Sequence, residues 1–107
     1  MISTHILDLN LGQPASGVAV QLEKQNDNTW SLISDQLSNI DGRISFACPA
    51  VVGTYRLTFQ IDNYFKELNL IPFFIAAPVT FKISDTSRKY HIPLLLSPYG
   101  YSTYRGS

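Results

Sequence analysis

Apolar and polar residues alternate with a period of two through most of this chain, and that restricts the fold to half-buried strands. Ile2 to Leu9 reads as a first strand. Val18, Val20 and Leu22 alternate with Ala19, Gln21 and Glu23 in a second. Trp30, Leu32 and Ser34 share one face of a third. Arg43 to Ala47 is a short strand that stops at Pro49. Gly53 to Ile61 sets Tyr55, Leu57, Phe59 and Ile61 on one side, and Pro78 to Ser84 does the same with Val79, Phe81 and Ile83. Tyr90 to Leu96 and Tyr99 to Tyr104 form a last pair around Ser97-Pro98.

Turn chemistry separates these runs. Leu11 to Gly17 is a loop, Gln25 to Thr29 a polar hairpin turn, and Asp85 to Lys89 a polar turn. Asn39-Ile40-Asp41-Gly42 is a tight turn in which glycine can take a positive φ. The one helical candidate is Asp62 to Leu68, with Asp62 as N-cap and Phe65 and Leu68 on one side. It is too short to stand alone and must pack on a sheet. Eight short strands and one short helix predict an all-β fold, a two-sheet sandwich in a single domain spanning residues 1–107.

Charge narrows the function classes. Eight Lys and Arg balance eight Asp and Glu, so the chain lacks the electrostatic footprint of a nucleic-acid binder. Charged residues make up 15%, against about 25% in an average soluble chain, which points to surface covered by other chains. The single Cys48 excludes an intrachain disulfide and a multi-cysteine metal site, and reads as a small buried apolar residue. No metal or cofactor is expected. The start lacks a secretory signal pattern, and the longest apolar stretch, Ile71 to Val79, carries two prolines and is far short of a membrane helix. The simplest compartment is the cytoplasm.

The stock enzyme motifs are absent: no Gly-rich phosphate loop, no nucleophile elbow, no His-Glu-x-x-His. The groups suited to acid–base work near neutral pH are His5 and His91, and arginine is suited to gripping an oxyanion or an amide-rich ring. His5 shares a face with Leu7 and Leu9. His91 shares one with Pro93 and Leu95, opposite the aliphatic core face of Ile92, Leu94 and Leu96. Both histidines therefore point outward, on a face apolar enough to be covered by a second chain. They either line a pocket between subunits or are ordinary interface histidines. Tyr90, Tyr99, Tyr101 and Tyr104 crowd the last eighteen residues, which reads as a docked tail, not a loose one. Asp8 either bonds backbone after the first strand or orients His5. Arg56 reads as solvated, and Glu23 and Lys24 as an exposed strand end.

The run from His5 to Val18, His-Ile-Leu-Asp-Leu-Asn-Leu-Gly-Gln-Pro-Ala-Ser-Gly-Val, resembles the N-terminal signature of the transthyretin family. The run from Tyr90 to Thr103, Tyr-His-Ile-Pro-Leu-Leu-Leu-Ser-Pro-Tyr-Gly-Tyr-Ser-Thr, resembles its C-terminal signature. His5, His91, the Asp41-Gly42-Arg43 turn and Tyr104-Arg105-Gly106-Ser107 look like the enzyme branch, the 5-hydroxyisourate hydrolases, and unlike the hormone carriers. The resemblance implies an eight-stranded transthyretin-like sandwich and a homotetramer built as a dimer of dimers, with sites in the channel where dimers meet. It implies His5, Arg43, His91 and Ser107 as catalytic residues, and His5, Arg43, Tyr104 and Arg105 as substrate-binding ones. One histidine, His91 or His5, would take a proton from the attacking water. Arg105 would bind substrate or pair at a subunit interface. The alternative is a carrier holding a small aromatic ligand in the same channel. The chain departs from the family at Leu70 to Pro78, where an acidic residue is often found, and at Lys89, where a second histidine often stands.

Overall fold

The structure, a computed structural model, describes residues 1–48 and 51–107. Its strands are β1 (Ile2–Asp8), β2 (Gln13–Pro14), β3 (Ala19–Asn26), β4 (Thr29–Leu37), β5 (Arg43–Phe46), β6 (Gly53–Gln60), β7 (Ala76–Ile83), β8 (Tyr90–His91), β9 (Leu94–Ser97) and β10 (Gly100–Thr103). One helix, α1 (Ile61–Glu67), joins β6 to β7. The strands form two sheets. One has the order β4-β3-β6-β7. The other runs β10-β9-β1-β2, with β5 and β8 also paired to β1.

The alternation read from the sequence decides which side chains meet between the sheets. Ile2, Ile6, Ile44, Phe46, Leu94 and Leu96 pack from one sheet against Val20, Leu22, Tyr55, Leu57 and Phe59 from the other, all buried. Each such side chain gains about 1.5–3 kcal/mol when fully withdrawn from water. The sandwich with one short helix is thus the expected one. Two additions raise the strand number above eight. Gln13–Pro14, inside the expected loop, pairs with β1, and the expected strand Tyr90 to Leu96 breaks into β8 and β9 around Pro93, which has no N–H for a ladder.

β1 is the hub. Its inner face carries two buried polar side chains, both satisfied. Thr4 donates to the Ile92 carbonyl at 2.7 Å. Asp8 accepts from the Asn10 and Leu11 amides at 2.8 and 3.1 Å and from the Tyr64 hydroxyl at 2.7 Å. Asp8 therefore turns the chain after β1 and ties it to α1. It lies on the face opposite His5, so it does not orient that histidine.

Other expectations are corrected. The helix begins one residue earlier, and Asp62 lies in its first turn, not at the cap; Gln60 holds the cap position without a side-chain bond. The carbonyl of Ile75 accepts from the Ile61 and Asp62 amides at 3.1 and 3.0 Å and does the work of a cap. Ile61 and Phe65 are its buried pair, and Leu68 is exposed. Arg56 is not free in solvent. It bonds Glu23 at 2.8 Å and lies 4.1 Å over the Trp30 ring, so Glu23 is half-buried as well. The expected stop at Pro49 lies outside the described residues; β5 itself ends at Phe46.

The turn before β5 meets the expectation made of it. Gly42 has φ +73°, and a Cβ there would collide with the Ile6 carbonyl oxygen. The Asn39 side chain accepts from the amides of Asp41 and Arg43 at 3.0 and 2.9 Å, and the Gly42 carbonyl accepts from the Ile6 amide at 2.7 Å. Gly42→Ala is expected to cost about 1–3 kcal/mol from the left-handed backbone and the collision together. Chemical denaturation measures it, and a loss indistinguishable from zero would contradict this account of the turn.

Candidate active site

Period two on β1 buries Ile2, Thr4, Ile6 and Asp8 and turns Ser3, His5 and Leu7 outward. Register then gathers the chemistry. Antiparallel β5 sets Ser45 beside Ser3 and Arg43 beside His5. Parallel β8 sets His91 on the other side of Ser3. Residues from three distant stretches thus share one outward patch, because neighbouring residues across a ladder point to the same side.

An open cleft lies over this patch, bordered by Ser3, Arg43, Ser45, Lys89, His91 and Ser107. Arg43 and Lys89 are the charged side chains on its border. His91 is half-buried. Its Nδ1 and the Ser3 hydroxyl share a hydrogen bond of 2.8 Å, and its carbonyl accepts from the Gly106 amide at 2.7 Å. Burial holds its pKa below the usual histidine value, and the nearby charges of Arg43 and His5 push the same way. The lowered pKa favours the neutral imidazole, the form a general base requires.

A second, apolar hollow adjoins the first, and His91 borders both. Its floor is Val79, Phe81 and Ile92, and Tyr104 and Arg105 stand on its wall. The Arg105 guanidinium lies 4.9 Å over the Tyr90 ring. The structure thus brings Arg43, His91 and Ser107 onto one cleft, with His5 beside Arg43 in the sheet. Tyr104 and Arg105 border the neighbouring hollow. Sequence reasoning passed over Ser3 and Ser45, and noted Lys89 only as a departure from the family, not as a site residue. Ser3 carried a signal, since it shares an outward face with His5 two residues on. What was not legible is that this strand pairs in parallel with β8.

A model of the HIUase/Transthyretin family matches residues 2–106. The chain belongs to this family. It is 48% identical to the 5-hydroxyisourate hydrolase of Salmonella typhimurium over 110 residues, covering 100% of this chain and 81% of that one. The solved 5-hydroxyisourate hydrolase of Klebsiella pneumoniae superposes with a TM-score of 0.88 at 37% identity, covering 99% of this chain and 98% of the other. Sea bream transthyretin in complex with thyroxine superposes with a TM-score of 0.89 at 29% identity, covering 98% and 93%. Hydrolases and a thyroxine-bound member thus share this sandwich, so within the family the fold alone does not choose between catalysis and carriage. The side chains on the outward patch of β1 must choose.

The pKa direction carries a testable sign. His91 should titrate below about 6.5, the ordinary value. Its contribution to stability is then complete above that pH and is lost as pH falls through the lowered pKa, because the unfolded chain binds the proton first. Arg43→Gln should raise the midpoint, since it removes a repelling charge. A histidine NMR titration reads both, and a midpoint at or above the ordinary value would contradict the electrostatic account.

Proposed function

We propose that this chain hydrolyses 5-hydroxyisourate, with water opening the six-membered ring at an amide carbonyl to give 2-oxo-4-hydroxy-4-carboxy-5-ureidoimidazoline. The observation that carries the reading is the meeting of His5, Arg43 and His91 on one outward patch, in a chain 48% identical along its whole length to a hydrolase of that name. The whole of 1–107 acts as one hydrolase domain.

The proposed chemistry follows from the residue types. His91, held neutral, takes a proton from water as it attacks the carbonyl. Fixing that water beside the carbonyl supplies the proximity term. Arg43 pairs with substrate oxygens and stabilises the charge that develops. His5, next to Arg43 in the ladder, binds the substrate and is the other candidate for the base. Ser107 borders the same cleft and Tyr104 and Arg105 the hollow beside it, where they would hold the polar edge of the ring. The reaction as written needs no metal and no cofactor.

The working form in this reading is a homotetramer, a dimer of dimers, with sites where dimers meet. Exposed apolar side chains support it: Ile71 is 88% accessible, Phe73 74%, Ile75 73% and Tyr99 78% in the lone chain. Cytoplasmic residence belongs to the same reading; among the described residues no helix is long and apolar enough to cross a membrane. The alternative is a carrier of an aromatic ligand. A passive apolar channel has no need of two histidines and an arginine on its wall, which favours the hydrolase.

Generating 5-hydroxyisourate in place with urate oxidase, and following its ultraviolet decay, tests the proposal. The chain should accelerate the decay. His91→Ala should cut turnover by about 10²–10⁴-fold if it is the base. A fall of less than about tenfold, with assembly intact, would remove that role. Arg43→Lys should also be poor, because lysine lacks the planar fork. Decay at the spontaneous rate from folded protein would favour the carrier. Light scattering should give four chains per particle, and a monomer would overturn the tetramer.

A further inference from the structure

We infer that Ser3 and Gly106 are positioning residues for His91: the Ser3 hydroxyl accepts from Nδ1–H and leaves the Nε2 lone pair free for the cleft, while the bare Cα of Gly106 sets the plane of the ring. The inference deepens the proposed hydrolase reading and rests on it for its kinetic consequence alone.

The hydrogen bond has two possible polarities. With the proton on Nδ1, Ser3 accepts and Nε2 is a base. With the proton on Nε2, Ser3 donates and Nε2 has no lone pair to offer. The cleft decides between them. Its charged side chains, Arg43 and Lys89, repel an N–H dipole and favour a lone pair. Nε2 makes no hydrogen bond to any described residue and is not buried. The Nδ1–H polarity also survives the reaction. When Nε2 takes the proton from water, the imidazolium still donates from Nδ1 to the same oxygen, and nothing need reorient.

Gly106 acts on the other side of the ring. A Cβ there would stand 2.5 Å from His91 Cδ2, 3.2 Å from Cγ and 3.2 Å from Pro93 Cγ. Cδ2 is bonded to Nε2, so a side chain at 106 must either push the ring, and Nε2 with it, or shift the tail that carries it. The Gly106 amide meanwhile donates to the His91 carbonyl at 2.7 Å and fixes the backbone from which the ring hangs. One residue from β1 and one from the tail thus clamp ring and backbone together.

Nitrogen-detected NMR of the histidines decides the polarity without any turnover. At a pH above the His91 midpoint, the wild-type ring should be the Nδ1–H form. Ser3→Ala should give a mixture of tautomers and lower kcat by about tenfold, the worth of one hydrogen bond. Ser3→Thr, which keeps the hydroxyl, should restore both readouts. Gly106→Ala should lower kcat by about 100-fold through displacement of the ring, with KM changed by no more than about twofold. Thermal melting would confirm that both variants fold. A wild-type ring in the Nε2–H form would overturn the role of Ser3, and Gly106→Ala with wild-type kcat would overturn the role of Gly106. If the wild-type chain leaves 5-hydroxyisourate untouched, the hydrolase reading fails, and the tautomer spectra still decide whether Ser3 holds the ring.

Discussion

The pairing of β1 on both of its edges is the constraint on which the rest depends. β5 runs antiparallel along one edge, and β8 and then β9 run parallel along the other. A one-residue slip in either ladder would turn the alternating set over. Ile2 and Ile6 would face water, and Ser3 and His5 would enter the core. Burial of the isoleucines against Leu57, Phe59 and their neighbours therefore sets the register that lines up Arg43, His5, Ser3 and His91. The core and the outward patch are two faces of one decision.

That decision is reinforced by polar groups where slippage would otherwise be cheap. Thr4 bonds the Ile92 carbonyl, the Ile6 amide bonds the Gly42 carbonyl, and Asp8 gathers two amides and a tyrosine hydroxyl. Each is a buried or half-buried bond that a shifted strand would leave unmade, at about 1–3 kcal/mol per orphaned group. They lie at three successive levels of β1, so the strand is pinned along its length and the patch inherits that rigidity.

Much of this was legible in the sequence, and for a physical reason. Period two is local, so Val20, Leu22, Tyr55, Leu57, Phe59, Leu94 and Leu96 could be assigned to the core, and His5 and His91 to the outside, with no partner known. The Gly42 turn was legible because one residue type tolerates its backbone. What failed was long-range or depended on a neighbour's spare capacity. The helix start at Ile61 is set by a carbonyl fourteen residues away in the chain, so Asp62 read wrongly as its cap. Arg56 read as solvated because its partners, Glu23 and Trp30, lie across two ladders. Ser3 was passed over for the same reason, since parallel pairing leaves no turn to announce it.

In the proposed mechanism, the placement of His91 between a polar cleft and an apolar hollow bears on catalysis in an assembly. A second chain laid over the patch would remove water from both sides of the ring. Desolvation disfavours the imidazolium, so covering the site lowers the pKa of His91 further and weakens it as a base. The same loss of water strengthens Arg43, whose attraction for a developing oxyanion grows as the local dielectric falls. Complete closure would therefore trade proton-accepting power for oxyanion stabilisation. In the proposed mechanism, a cleft left partly open, walled by serines and bordered by Lys89, would keep His91 hydrated enough to accept a proton while Arg43 still acts at short range. Half-burial of the histidine is the compromise that this chemistry favours.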